Sequence, residues 1–134
     1  MRRLSLLFGA AFTFATASPI ESYIQNLAKE AKSENPSFKG FDAKRGKEIF
    51  FSKHIGKRGR EISCASCHTN DLTQSGENIF TGKKLEPLSP KVNPKRLTDL
   101  KKVKKWLRRN FKDVYKREGS AIEKGDVLTY ILSQ

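Results

Sequence analysis

The chain has 134 residues, with 27 lysines and arginines against 14 aspartates and glutamates, and a formal charge of +13. That length fits one domain, and two cysteines are too few for a disulfide-built scaffold. With only two cysteines and two histidines, a four-ligand structural zinc site would have to use the adjacent Cys67 and His68, which strains tetrahedral geometry.

The first 17 residues read as an export leader. Arg2 and Arg3 form a positive start, Leu4 to Phe14 is an apolar run too short to span a bilayer, and Ala15-Thr16-Ala17 is a small-residue cleavage site. Cleavage after about Ala17 leaves about 117 residues carrying +11, and no later segment suits a membrane crossing. The expected product is periplasmic and not an integral membrane protein. Its basic surface suits an acidic partner or an anionic membrane surface rather than nucleic acid, because the lysines are spread along an exported chain.

Residues 18–41 are expected to form an N-terminal helical extension. Ser18-Pro19-Ile20-Glu21 is a capping box with proline at the first helical position, and Ile20, Tyr23, Ile24, Leu27 and Ala31 follow at helical spacing. A loop from Ser33 to Gly40 leads to Asp42, the N-cap of a second helix through about Lys53. Residues 42–134 are the expected main domain. On the second helix Gly46 and Phe50 share a face, a bare backbone patch beside an aromatic ring, suited to close crossing by another helix.

A glycine-containing basic loop, with His54, leads to Cys64-Ala65-Ser66-Cys67-His68. Thiols at i and i+3 match the spacing of two porphyrin vinyl groups, and the adjacent imidazole can swing beneath the iron. The motif predicts one covalent haem c, with Cys64 and Cys67 as thioethers and His68 as proximal iron ligand. A thioredoxin-like disulfide lacks its strand-helix-strand surroundings. The porphyrin also supplies apolar bulk, because three of nine phenylalanines fall in the leader. From Thr69 to about Leu97, Pro87, Pro90, Pro94, Gly76 and Gly82 rule out a continuous helix. Such loops can wrap a porphyrin edge, with Thr81, Lys83 and Lys84 in reach of the propionates.

Thr98 is read as the N-cap of a third helix running to about Phe111 or Val114, with Leu100, Val103, Trp106, Leu107 and Val114 on its apolar face. Asn110 falls within that stripe, so its carboxamide needs an interior partner. Lys101, Lys102, Lys104, Lys105, Arg108 and Arg109 take the other face. The last helix opens with the capping box Ser120-Ala121-Ile122-Glu123, and its Val127 and Tyr130 are the expected partners of Gly46 and Phe50. The fold class is all-α, four to five helices and long loops around one haem, with no sheet.

The only methionine is Met1, inside the leader, so a His/Met iron site is impossible in the processed chain. The remaining candidates for the sixth position are Asn110, His54, a lysine, water or nothing. A lysine must first lose a proton, and His54 has no apolar stripe to aim it.

The segments Thr81-Gly82-Lys83, Pro87-Leu88-Ser89-Pro90, Asn93-Pro94, Thr98-Asp99, Lys105 to Asn110 and Glu123-Lys124-Gly125-Asp126 resemble the sphaeroides haem protein group of class I cytochromes c, over roughly residues 42 to 132. The resemblance implies the class I cytochrome c fold, Asn110 as a labile distal ligand beside Trp106, and reversible binding of oxygen, carbon monoxide or nitric oxide. It also implies a redox partner, such as an acidic or multihaem cytochrome. Members of that group carry cysteines where this chain has Phe111 and Gly119, and pair them in a disulfide; here the loop after Asn110 is expected to be less constrained. An electron carrier or ligand-binding protein is favoured over an enzyme, because peroxide chemistry needs a distal acid or base and His54 is the one spare imidazole. A nitric oxide dioxygenase needs less help. A closed six-coordinate carrier with His54 or lysine on the iron is the other alternative.

Overall fold

The computed structural model describes residues 15–134; most of the predicted leader lies outside the described residues. Five helices make the frame: α1 (Pro19–Glu34), α2 (Ala43–Phe51), α3 (Ala65–His68), α4 (Leu100–Tyr115) and α5 (Ala121–Leu132). The all-α expectation holds, with one correction. Two minimal antiparallel pairs brace the loops, β1 (His54–Ile55) with β2 (Glu61–Ile62) and β3 (Gly76–Glu77) with β4 (Lys84–Leu85). Two-residue pairs lack the length and alternation that mark a strand in sequence.

Helix starts follow side-chain chemistry. Ser18 and Ser120 each accept from the backbone N–H three residues on, while Glu21 and Glu123 reach back to the cap N–H, completing both capping boxes. Asp42 accepts from the Arg45 N–H at 2.8 Å. For α4 the cap is Asp99 rather than Thr98: the Asp99 carboxylate accepts from the Lys102 N–H at 3.2 Å, and the Thr98 hydroxyl instead donates to the Lys95 carbonyl at 2.7 Å. Asp is as good an N-cap as Thr or better, so adjacent candidates are decided by which lies extended at the turn.

The frame closes where α2 crosses α5. Gly46 faces the Asp126 carbonyl so closely that a Cβ at 46 would stand 2.0 Å from that oxygen and 2.9 Å from Tyr130 Cβ. On the other side a Cβ at Gly125 would stand 2.1 Å from the Phe41 ring. Phe50 and Tyr130 meet with ring centroids 5.6 Å apart, the contact expected from the sequence. Asp126 is only 1% exposed. Its carboxylate accepts from the Asp42 N–H at 2.7 Å, Arg45 Nε at 2.8 Å and Arg45 Nη2 at 2.9 Å. A buried carboxylate is tolerated when its lone pairs are matched in this way.

The core has two parts. Phe50, Leu72, Phe111, Val127, Tyr130 and Ile131 pack between α2, α4 and α5. Leu27 and Ala31 of α1 join Val103, Ala121 and Leu128 in the other. Helix α1 therefore packs into the core through Leu27 and Ala31.

Two outcomes follow from these contacts. Gly46→Ala should cost at least about 3 kcal/mol in denaturant unfolding, because the opposing atom is backbone and cannot swing away. Arg117 donates to both Glu123 carboxylate oxygens, at 2.8 and 2.7 Å, and so holds that carboxyl below its ordinary value of 4.5. A depressed carboxyl pKa contributes stability that is complete above 4.5 and lost as pH falls through the folded value. The stability gap between the wild type and Arg117→Ala, measured by chemical unfolding, should therefore be present at neutral pH and shrink on acidification.

Candidate functional site

The haem motif sits on the shortest helix. Cys64 is its N-cap residue, and the turn is held by His68 N–H to the Cys64 carbonyl (3.2 Å), Thr69 N–H to the Ala65 carbonyl (2.9 Å) and Ser63 N–H to Ser66 Oγ (2.9 Å). Thr69 then takes φ of 68°, ending the helix. Strand β3 lies against this turn: a Cβ at Gly76 would stand 2.0 Å from the Cys67 carbonyl oxygen. Glycine at that position lets the hairpin close directly onto the motif.

Cys64, Cys67 and His68 line a cavity of about 350 Å³, within the size range of ligand pockets. The wall is mostly apolar: Phe50, Ile62, Leu85, Leu88, Val103, Leu107, Phe111, Val127 and Ile131 all reach it. Burial, with a smaller contribution from Arg96, lowers the His68 pKa to about 4, so the imidazole is neutral at physiological pH and has a lone pair for a metal. Burial likewise pushes the Cys64 thiol up to about 12, which disfavours a thiolate and suits a neutral thioether. The two thiols are not joined to each other. Among the described residues no cluster of three or more His, Cys, Asp or Glu is placed to hold a bare metal ion. Two thiols and one imidazole on an apolar cavity fit a porphyrin whose own nitrogens supply the remaining ligands.

Helix α4 builds the wall that carries Trp106, Leu107, Asn110 and Phe111. Asn110 thus shares the cavity with His68, as the helical stripe implies. His54 does not line it. Its Nε2 lies 2.9 Å from Ser52 Oγ, and its ring stacks on Tyr115 at 4.2 Å between centroids. Tyr115 donates to the Ile49 carbonyl at 2.7 Å, and burial raises its pKa to about 12, keeping it a donor. The pairing of β1 with β2 sets His54 opposite Ile62, a constraint that a basic loop in sequence does not reveal.

Of the three residues expected at the propionates, Lys83 lines the cavity; Thr81 and Lys84 do not. Lys95, Arg96 and Lys102 do. Arg96 is fixed by donating to the Pro87 carbonyl at 2.8 Å and the Glu86 carbonyl at 2.7 Å. In a chain with 27 basic residues no sequence signal marks Lys95 and Arg96; only the path of the 69–97 loop brings them to the cavity rim.

Residues 36–131 match the family described as a domain of unknown function, DUF1924. Cytochrome c'' of Methylophilus methylotrophus is 33% identical over 137 residues, covering all of this chain and 95% of its own length. Its oxidised crystal structure superposes with a TM-score of 0.77 at 36% identity, over 86% of this chain and 94% of that one. The chain belongs to this family of c-type cytochromes. The cytochrome c-type protein SHP of Cereibacter sphaeroides is 40% identical over 93 residues, 69% of this chain and 71% of its own. Oxidised SHP, described as an oxygen-binding cytochrome c, superposes with a TM-score of 0.76 at 33% identity, over 89% of this chain and all of that one. The cofactor of this cytochrome is covalently bound haem c, and its fold is that of these all-α relatives.

The cytochrome departs from the expected loose loop after Asn110. Phe111 is buried, and its ring lies so close to Gly119 that a Cβ there would stand 2.8 Å from two ring carbons. The same ring stacks on Tyr115 at 5.4 Å. An aromatic ring over a glycine therefore ties the end of α4 to the start of α5 at the two positions where the resembled group has cysteines. Phe111→Ala should cost roughly 3–5 kcal/mol, and Gly119→Ala about 1–3 kcal/mol. In the Phe111→Ala background, Gly119→Ala should be nearly neutral, because the ring it would strike is gone. Urea unfolding of the four proteins measures this coupling.

Proposed function

We propose that this cytochrome is an exported, periplasmic electron-exchange protein whose iron binds diatomic gases reversibly, with Cys64 and Cys67 as the thioether attachments, His68 as proximal ligand and Asn110 as a labile distal ligand. The observation that carries the reading is Asn110 on the same cavity wall as Trp106, facing the space that His68 also lines, in a chain whose one methionine is Met1. The leader over 1–17 supports export.

The bound haem supplies an iron that cycles between ferric and ferrous states and takes a sixth ligand. The chain's own residues set how that position behaves. His68, neutral through burial, offers nitrogen on one side. The Asn110 carboxamide would offer an oxygen, a hard and weak donor that suits ferric better than ferrous iron. Phe111, Leu107 and Val103 exclude water from the wall around it. Lys83, Lys95 and Arg96 supply positive charge at the rim for two propionates. His54, held by Ser52 and Tyr115, is not presented to the cavity.

Absorption spectra of the oxidised and reduced protein, with and without carbon monoxide, test the reading. The reduced wild type should bind carbon monoxide, and its potential should lie below that of His/Met cytochromes; failure to bind the gas rules out a labile distal side. Asn110→Ala should change the ferric spectrum and leave attachment intact, whereas Cys64→Ala and Cys67→Ala should each leave one thioether. A ferric spectrum unchanged in Asn110→Ala removes that residue from the iron.

A further inference from the structure

Basic residues occur along the whole chain, but one helix carries them almost without acidic counterparts. Between Leu100 and Tyr115, α4 carries Lys101, Lys102, Lys104, Lys105, Arg108, Arg109 and Lys112 against a single acid, Asp113. Lys102 pairs with Asp99, Lys112 with Glu118, and Asp113 with Lys57. Lys101, Lys104, Lys105, Arg108 and Arg109 are exposed and take part in none of the ion pairs among the described residues. Helix α1, of equal length, instead interleaves Lys29 and Lys32 with Glu21, Glu30 and Glu34. Like charges one helical turn apart repel, so a helix this one-sided is destabilised by its own surface until something negative covers it.

The same helix is the cavity wall. Trp106 lines the cavity, and Lys105 Nζ and Arg109 Cζ sit 5.3 and 5.4 Å from the centre of its ring. Tryptophan and arginine are among the residues enriched at interface centres, and the lysines around them add charge for steering. The apolar stripe of α4 does not face outward: Val103, Phe111 and Val114 are buried in the core. A helix that lies on a membrane needs a hydrocarbon face to insert, and α4 has already spent its own on the protein interior.

We infer that the outer face of α4, centred on Lys105, Trp106, Arg108 and Arg109, is the docking surface for an acidic electron-donor protein. This rests on the electron-exchange reading above and adds where exchange occurs. Docking there brings a donor's redox centre against the helix whose Trp106 is both exposed at the surface and part of the cavity lining. The donor loses one electron, the ferric haem gains it, and no proton or group need move. Charge complementarity supplies steering and therefore salt dependence.

The test uses the haem-loaded full chain and a probe, flavodoxin hydroquinone, a strongly acidic one-electron donor. Binding of oxidised flavodoxin is measured by titration calorimetry and electron transfer from the hydroquinone by stopped flow, both as a function of salt. The triple variant Lys105→Glu/Arg108→Glu/Arg109→Glu is compared with Lys29→Glu/Lys39→Glu/Lys44→Glu, which makes the same change in net charge away from the cavity wall. The α4 variant should lose roughly tenfold or more in affinity and in second-order rate at low ionic strength, and most of the salt dependence; the control should lose a few-fold at most. Equal losses in the two variants, or none in the α4 variant, overturn the assignment. So does a wild type that ignores flavodoxin but binds phosphatidylglycerol vesicles through the same residues. If the triple variant misfolds by circular dichroism, Arg108→Gln/Arg109→Gln is read by the same criteria. Dithionite reduction separates the two levels: a haem that dithionite cannot cycle defeats the electron-exchange reading, whereas normal cycling with no α4 effect defeats only the surface.

Discussion

The crossing of α2 over α5 is the constraint on which the rest of the molecule depends. Gly46 removes the side chain that would hold the two backbones apart, and Asp126, buried and triply hydrogen-bonded, draws the start of α2 onto α5. With that contact made, Phe50, Val127 and Ile131 become one side of the haem cavity. Close backbone approach and a satisfied buried carboxylate reinforce each other: the glycine brings Asp126 within reach of the Asp42 N–H and the half-exposed Arg45, and their hydrogen bonds offset the cost of burying its charge.

Against this fixed side, the remaining walls are assembled from pieces with little structure of their own. The four-residue α3, two minimal hairpins and a proline-containing loop depend on tertiary contacts such as Gly76 against Cys67, Ser89 N–H to the Leu72 carbonyl at 2.9 Å, and Arg96 to the Glu86 and Pro87 carbonyls. Loops that each add one or two polar ties can follow the outline of a flat cofactor more closely than a regular element could. The Phe111–Gly119 contact extends this logic to the distal side, where packing occupies the positions that cysteines occupy in the resembled group. Packing of this kind does not respond to thiol reductants, so the end of α4 keeps its restraint in any redox environment.

Electrostatics divides the molecule in a similar way. Burial keeps His68 neutral and disfavours a charged sulfur at Cys64, while Lys83, Lys95 and Arg96 line the cavity and a row of lysines and arginines takes the outer face of α4. The interior is apolar and keeps its imidazole uncharged, and the exterior of α4 is positive. Helix α4 separates the two, and its Trp106 touches both.

Much was legible in the sequence because it depends on neighbours in the chain. The CxxCH spacing, both capping boxes, the apolar stripe that puts Asn110 inside and the Gly46/Phe50 patch are periodic or local patterns, and local geometry converts them directly into structure. The choice of Asp99 over Thr98 as cap, the two short hairpins, the placement of His54 away from the cavity lining and of Lys95 and Arg96 on it were not legible. Each depends on where a distant segment comes to rest: β2 beside β1, Tyr115 beneath the His54 ring, the 69–97 loop along the cavity rim. Sequence determined the covalent chemistry and the helical frame, because those arise within one or two turns of chain. Tertiary structure decided which side chains share the cavity and which are held away from it, because that follows from packing between segments far apart in the chain.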